Sequence, residues 1–142
     1  MAQQNSNLQR WVTGLILAAA LLSIIVLGPV ELLTAVIVLF IVGGVWEYNG
    51  IVFGKGFLKE KIEGILFAVL IPLTFFVGNF QMMAALLAFM VMIVFMVFLW
   101  RVNEDSFDVS SVTRVIFGMM YITLLTSHFI LLRKLENGVY WI

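Results

Sequence analysis

Five long apolar stretches, at residues 12–27, 30–45, 65–78, 80–100 and 115–132, divide the chain, and nearly every charged residue lies between them or at their ends. An apolar helix of about 20 residues crosses the hydrocarbon of a bilayer, and about 17 suffice with flanking turns. The stretch at 65–78 is the shortest; it reaches that length by adding residues 61–64, where Lys61 snorkels to the interface and Glu63 sits at a helix start. The runs show neither the period-two alternation nor the roughly ten-residue length of outer-membrane barrel strands. The expected fold is therefore all-α, a polytopic integral membrane bundle of about five transmembrane helices in a single domain.

Composition agrees with lipid as the main solvent. Of 142 residues, 63% are hydrophobic and 11% charged, and the mean hydropathy is +1.14. Eight Lys and Arg balance eight Asp and Glu, which leaves no global basic field to attract nucleic acid. With no cysteine there are no disulfides and no thiolate metal sites. The polar start 1–9, Arg10 and the first apolar run superficially resemble a secretory signal. However, the alanines at 18–20 lie inside the run and the next run follows at once, so the segment reads as a retained first span.

Gly28-Pro29 is a turn signal that predicts an antiparallel hairpin of the first two spans, with Glu31 favouring the start of the second. Small residues four apart, Gly14 and Ala18, Ala19 and Ser23, Gly64 and Ala68, are positions where helices can approach closely. Pro72 removes a backbone bond to the Ala68 carbonyl and predicts a kink. Arg10, Lys55, Lys59, Lys61, Arg101 and Arg114 all fall at one side of the up-and-down path, and only Arg133 and Lys134 at the other. The excess of basic residues on the cytoplasmic side of membrane proteins then predicts N-in, C-out.

Few constellations carry chemistry. The glycines of 50–56 mimic a phosphate-binding loop, but the spacing is one residue short and Gly56 stands where a hydroxyl is needed, so a plain connection is the better reading. Asn103, Glu104, Asp105 and Asp108 form an acidic segment without the glycine and final Glu of a calcium loop, which favours a solvated loop. His128 is the one ionisable side chain well inside a span; five residues before Arg133, it lies near the outer interface, where a structural role outweighs proton transfer or ligand binding. Met82, Met83, Met90, Met92 and Met96 suit flexible packing and lipid contact better than soft-metal transport. Trp11, Trp46, Tyr48, Trp100, Tyr140 and Trp141 mark span ends at the headgroup layer.

Two stretches also carry a resemblance. Leu8-Gln9-Arg10-Trp11-Val12-Thr13-Gly14-Leu15, the hairpin through Gly28-Pro29 and the ending Val45-Trp46-Glu47-Tyr48 resemble the beginning of bacterial phosphatidate cytidylyltransferases, the CDP-diacylglycerol synthases. Arg114-Val115-Ile116-Phe117-Gly118, continuing through Ser127-His128-Phe129 to Arg133 and then Asn137-Gly138-Val139-Tyr140-Trp141-Ile142, resembles the span that precedes that family's catalytic half.

The resemblance implies an integral enzyme of phospholipid biosynthesis in the bacterial cytoplasmic membrane, condensing CTP with phosphatidate to CDP-diacylglycerol and pyrophosphate with Mg2+. Similar proteins carry their catalytic residues later, in an Asp-Thr-Gly-like stretch, a Gly-Lys-rich loop and a final Lys- and Asp-rich signature, none of which occurs in this sequence. The expectation is a truncated amino-terminal portion, inactive alone, with no catalytic, cofactor or metal residue of its own. It would pair with a complementing C-terminal half or with a second copy. Arg10, Lys55, Lys59, Lys61 and Arg114, basic and interfacial, are the candidates for lipid-phosphate contact, and His128 for a polar intramembrane site. The rival reading is a small non-enzymatic membrane assembly partner or transporter subunit.

Overall fold

The computed structural model describes residues 2–53, 58–100 and 109–142, the side chains of 2–9, 59, 109 and 111 excepted. Every described element is helical. Helix α1 spans Ala2–Leu27, α2 Val30–Phe53, α3 Leu58–Val77 and α4 Phe80–Trp100. A fifth continuous run consists of α5 (Val109–Gly118), a π-helical turn (Met119–Leu124) and α6 (Leu125–Lys134), followed by a short 3-10 turn at Gly138–Trp141. No strand occurs among the described residues.

Among the described residues, four helices are long and apolar enough to cross a membrane: Arg10–Leu27, Val30–Phe53, Phe80–Trp100 and Val112–Lys134. The remaining one, α3, opens with Lys59, Glu60, Lys61 and Glu63 and contains Pro72, yet it lies at the centre. It packs on α2, α4, the π turn and α6, and Phe67, Ala68, Ile71, Pro72 and Phe75 along it are buried. The helix runs through Pro72 without interruption; a backbone carbonyl freed by proline is tolerated at membrane depth where neighbouring helices enclose it. Against α3, α2 presents Leu33, Ile37, Ile41, Val45, Asn49 and Phe53, a buried stripe in steps of four. On α4, Met83 and Met90 face this core while Met82, Met92 and Met96 are exposed.

Helix α1 departs from the close hairpin expected of it. Residues 11–20 are exposed throughout, and only Leu21, Ile24 and Ile25 near the turn are half-buried. Gly14 has open space around it, and Ser23 bonds the Ala19 carbonyl of its own helix at 2.8 Å. Of the three small-residue pairs, Gly64 and Ala68 alone lie in a helix contact, where both are buried.

The end of the bundle bearing both tight turns is tied by the basic residues that broke the charge asymmetry. Helix α3 stops at Gly78, whose φ of 77° only glycine adopts without strain and whose N–H bonds the Thr74 carbonyl at 3.0 Å. Asn79 then accepts from the Met82 N–H at 3.2 Å, capping α4. Lys134 donates to the Phe76 carbonyl in the last turn of α3, where the helix dipole favours a cation, and its ammonium lies 4.8 Å from the centre of the Phe76 ring. Arg133 Nη2 donates to the Gly28 carbonyl at 3.2 Å, joining the first turn to the last helix.

The π turn lies within a buried series: Val115, Met119, Thr123 and Ser127 are all buried at steps of four, as are six residues of α2, which has no such turn. Ser127 Oγ donates to the Thr123 carbonyl at 2.6 Å, and His128 Nδ1 lies 2.8 Å from the Leu124 carbonyl, so side chains serve backbone acceptors where the ladder changes.

Thr123 is fully buried and its hydroxyl has no hydrogen-bond partner among the described residues. Thr123→Val should therefore stabilise the bundle by about 1 kcal/mol, whereas Ser127→Ala should cost about 0.6 kcal/mol, the mean for a side-chain bond in a membrane helix. Reversible unfolding in mixed micelles measures both; a Thr123→Val variant less stable than Ser127→Ala contradicts the assignment.

Candidate functional site

The opposite end of the bundle, where α2 ends and α3 and α5 begin, is where polar side chains converge. The i+4 stripe of α2 continues past its apolar part to Asn49, which is 5% exposed. Its Nδ2 donates to the Lys61 carbonyl at 3.3 Å, across the connection from α2 to α3. Gly64 packs closely here: a Cβ there would lie 3.1 Å from Asn49 Nδ2, which would have to give by a few tenths of an ångström. The neighbouring residue on α2, Tyr48, turns toward α5 and donates its phenol hydrogen to the Arg114 carbonyl at 2.9 Å. Its ring lies over Gly118 and 6.5 Å from the Phe117 ring. Two adjacent residues thus fix the backbones at Lys61 and Arg114.

Between these contacts is a cavity of about 10 Å³, lined by Tyr48, Asn49, Glu60, Gly64, Val115 and Gly118 among others, with room for about one water. Glu60 is 7% exposed, a carboxyl enclosed at the start of α3 where the helix dipole favours it. On the outer side of Asn49 lies a much larger groove of about 490 Å³, lined by Trp46, Asn49, Gly50, Leu58, Lys61, Ile62 and Ile65. That volume falls within the roughly 300–1,000 Å³ of small-molecule sites.

The structure separates the five basic candidates. Lys61 and Arg114 are half-exposed and flank the Tyr48-Asn49 pair. Arg10 lies on the exposed part of α1, away from that pair. Lys59 belongs to the first turn of α3, but its side chain is outside the described residues, as are Lys55 and the acidic segment 103–108. Gly50, the first glycine of the loop-like run, is helical and continues α2. His128 is at the other end of the bundle, exposed, its ring edge-on to Phe75 at 5.1 Å. It borders an open groove of about 440 Å³ with Tyr121, Leu125, Thr126, Phe129 and Leu132. Among the described residues no three His, Asp or Glu side chains come together to hold a metal ion.

Tyr48, Asn49, Glu60 and Gly118 are the members of the site that sequence reading missed. The step of four from Val45 to Asn49 is the signal that marks Asn49 as inward. A Cβ at Gly118 would lie 2.8 Å from Tyr48 Cε1, so Gly118→Ala should displace the ring and destabilise the bundle by about 1–3 kcal/mol. Tyr48→Phe should cost about 1 kcal/mol through the lost bond alone. In a double-mutant cycle of unfolding the two losses should fall short of additive, because both act on one contact.

No curated protein and no solved structure matches this chain. A family model does, over residues 8–142. With that match covering nearly all of its length, and in keeping with its resemblance to phosphatidate cytidylyltransferases, the chain belongs to the cytidylyltransferase family.

Proposed function

We propose that the chain is a phosphatidate cytidylyltransferase-like membrane protein of phospholipid biosynthesis, and that residues 1–142 supply its membrane bundle and lipid-holding surface, as a single domain, rather than its transfer chemistry. The observation that carries this is the family match over residues 8–142, taken with a bundle end that offers Lys61, Arg114 and an apolar groove. In the reaction a phosphatidate oxygen attacks the α-phosphorus of CTP. The bond to the β-phosphate breaks and pyrophosphate leaves, so negative charge must be positioned and neutralised.

Lysine and arginine at headgroup depth serve the lipid half of that task, each worth about 1 kcal/mol toward an anionic lipid. Lys61 and Arg114 are the residues of this reading, and Arg10 lies on a separate helix. The triphosphate half needs carboxylates that could hold Mg2+, and this reading assigns them to a catalytic segment of the same family type. The partners of this reading are phosphatidate and that segment. The membrane is the bacterial cytoplasmic one, with the amino terminus and the Lys61 end inside, where CTP is.

Proteoliposomes containing the chain, phosphatidate, labelled CTP and Mg2+ should form no CDP-diacylglycerol. Adding a catalytic segment of the family that is inactive alone should restore synthesis. Synthesis by the chain alone, or no dependence on the chain in the mixture, contradicts the division of labour. For orientation, a phosphatase reporter joined after Ile142 should be active only when exported; activity confined to the cytoplasm reverses the topology.

A further inference from the structure

His128 is the ionisable side chain whose surroundings the bundle leaves unfinished. At 1.5 Å per residue it lies about 7.5 Å inside Arg133 along α6. Ionisable side chains within a span ordinarily face the bundle interior or a water-filled cavity, yet His128 is exposed. Its Nδ1 lies 2.8 Å from the Leu124 carbonyl. A carbonyl oxygen only accepts, so Nδ1 carries the hydrogen and Nε2 of the neutral ring keeps a lone pair that calls for a donor. Lipid chains offer none. Beside it Leu125 and Phe129 are 59% and 43% exposed, and with Thr126 and Leu132 they line the open groove of about 440 Å³. Leu125, His128, Phe129 and Leu132 stand at i, i+3, i+4 and i+7, the spacing of a helix face that packs on a neighbour.

We infer that this face joins two copies of the chain side by side, the Thr126 hydroxyl of each donating to His128 Nε2 of the other. Helix geometry selects this occupant. At about 100° per residue, Thr126 stands about 80° to one side of the line midway between Leu125 and Phe129, and His128 about 80° to the other. When two copies of one orientation face each other across a two-fold axis, opposite flanks come together, so each Thr126 meets the partner's His128. The two residues differ in depth by only about 3 Å along the helix. Thr126 is available for the contact: Ser127 donates to the Thr123 carbonyl of its own helix at 2.6 Å, whereas Thr126 makes no hydrogen bond among the described residues. One donor and one acceptor on the same face make it self-complementary, as a contact between like surfaces requires. The interface stands on the geometry of α6 and is independent of the transfer reaction proposed above.

The chain has no cysteine, so single introduced cysteines report contacts without background. In phosphatidylcholine vesicles at low protein-to-lipid ratio, oxidation by copper phenanthroline should join Leu125→Cys chains, and likewise Phe129→Cys chains, into disulfide dimers. Met92→Cys and Leu22→Cys, on the exposed faces of α4 and α1, should stay monomeric. Energy transfer between two populations labelled at the amino terminus gives the mole fraction of chain at half dimerisation. Thr126→Val and His128→Ala should each raise it about eightfold, the loss of two symmetric side-chain bonds in lipid, with helical circular dichroism unchanged. The double variant should raise it no further, and Thr126→Ser should keep the original value. Equal crosslinking at all four positions, or none at 125 and 129, overturns the interface. Additive losses in the double variant overturn the pairing of Thr126 with His128. Disulfides from Leu125→Cys that form only with a cysteine on a membrane helix of the catalytic segment, and never with a second copy, give the face to that segment and overturn the assignment.

Discussion

The uncharged part of α3, residues 64–77, covers about 21 Å at 1.5 Å per residue, roughly 9 Å less than the hydrocarbon of a typical bilayer. Its opening turn, with Lys59, Glu60, Lys61 and Glu63, needs protein or headgroups around it rather than lipid tails, and Pro72 leaves a carbonyl that lipid cannot satisfy. Central placement meets all three demands. Glu60 and Pro72 are buried and the α2 stripe runs alongside, while the helices best suited to lipid by composition, α1 and α4, are left with their apolar faces outward. In water the most apolar helix would take the centre; with lipid as solvent the least apolar one does.

That inversion explains what was legible in the sequence and what was not. The apolar stretches locate the helices because hydrocarbon thickness sets a minimum length, and the turns at Gly28-Pro29 and Gly78 fall where glycine and proline require. Which helix is central does not follow from the apolar stretches alone: all five read as spans, and what sets α3 apart is its charged opening turn and Pro72. The small residues of α1 illustrate it: Gly14 and Ala18 have the spacing of a packing motif, but α1 lies almost entirely outside the contact surface, and Gly64 with Ala68 does the packing. The inward face around the π turn was hidden for another reason: of Val115, Met119, Thr123 and Ser127, two are polar and mask that face from any count of apolar residues.

Charge counting similarly treats all basic residues alike, whereas the structure assigns them different work. Arg133 and Lys134 lie at one end because they bond the Gly28 and Phe76 carbonyls, closing the first turn and the last turn of α3. Their position is set by helix ends, so they need not count against an orientation deduced from the remaining six. At the other end, the Lys61 and Arg114 carbonyls accept from Asn49 and Tyr48, which fixes the position of both residues along their helices.

Asn49 connects these observations. It borders both the small enclosed cavity and the large open groove, so one face of the residue belongs to a rigid junction and the other to a surface that lipid can reach. A Cβ at Gly64 would lie 3.1 Å from its Nδ2, so the amide reaches Lys61 past a glycine packed closely against it. A buried amide in an apolar bundle is retained at a cost unless it is bonded. Here the bond places the first lysine-bearing turn of α3 against α2. Without it, the wall of the groove formed by Leu58, Ile62 and Ile65 and the wall formed by Trp46 and Gly50 would have no fixed spacing. The polar junction inside the bundle is thus what gives the open groove beside it a definite shape.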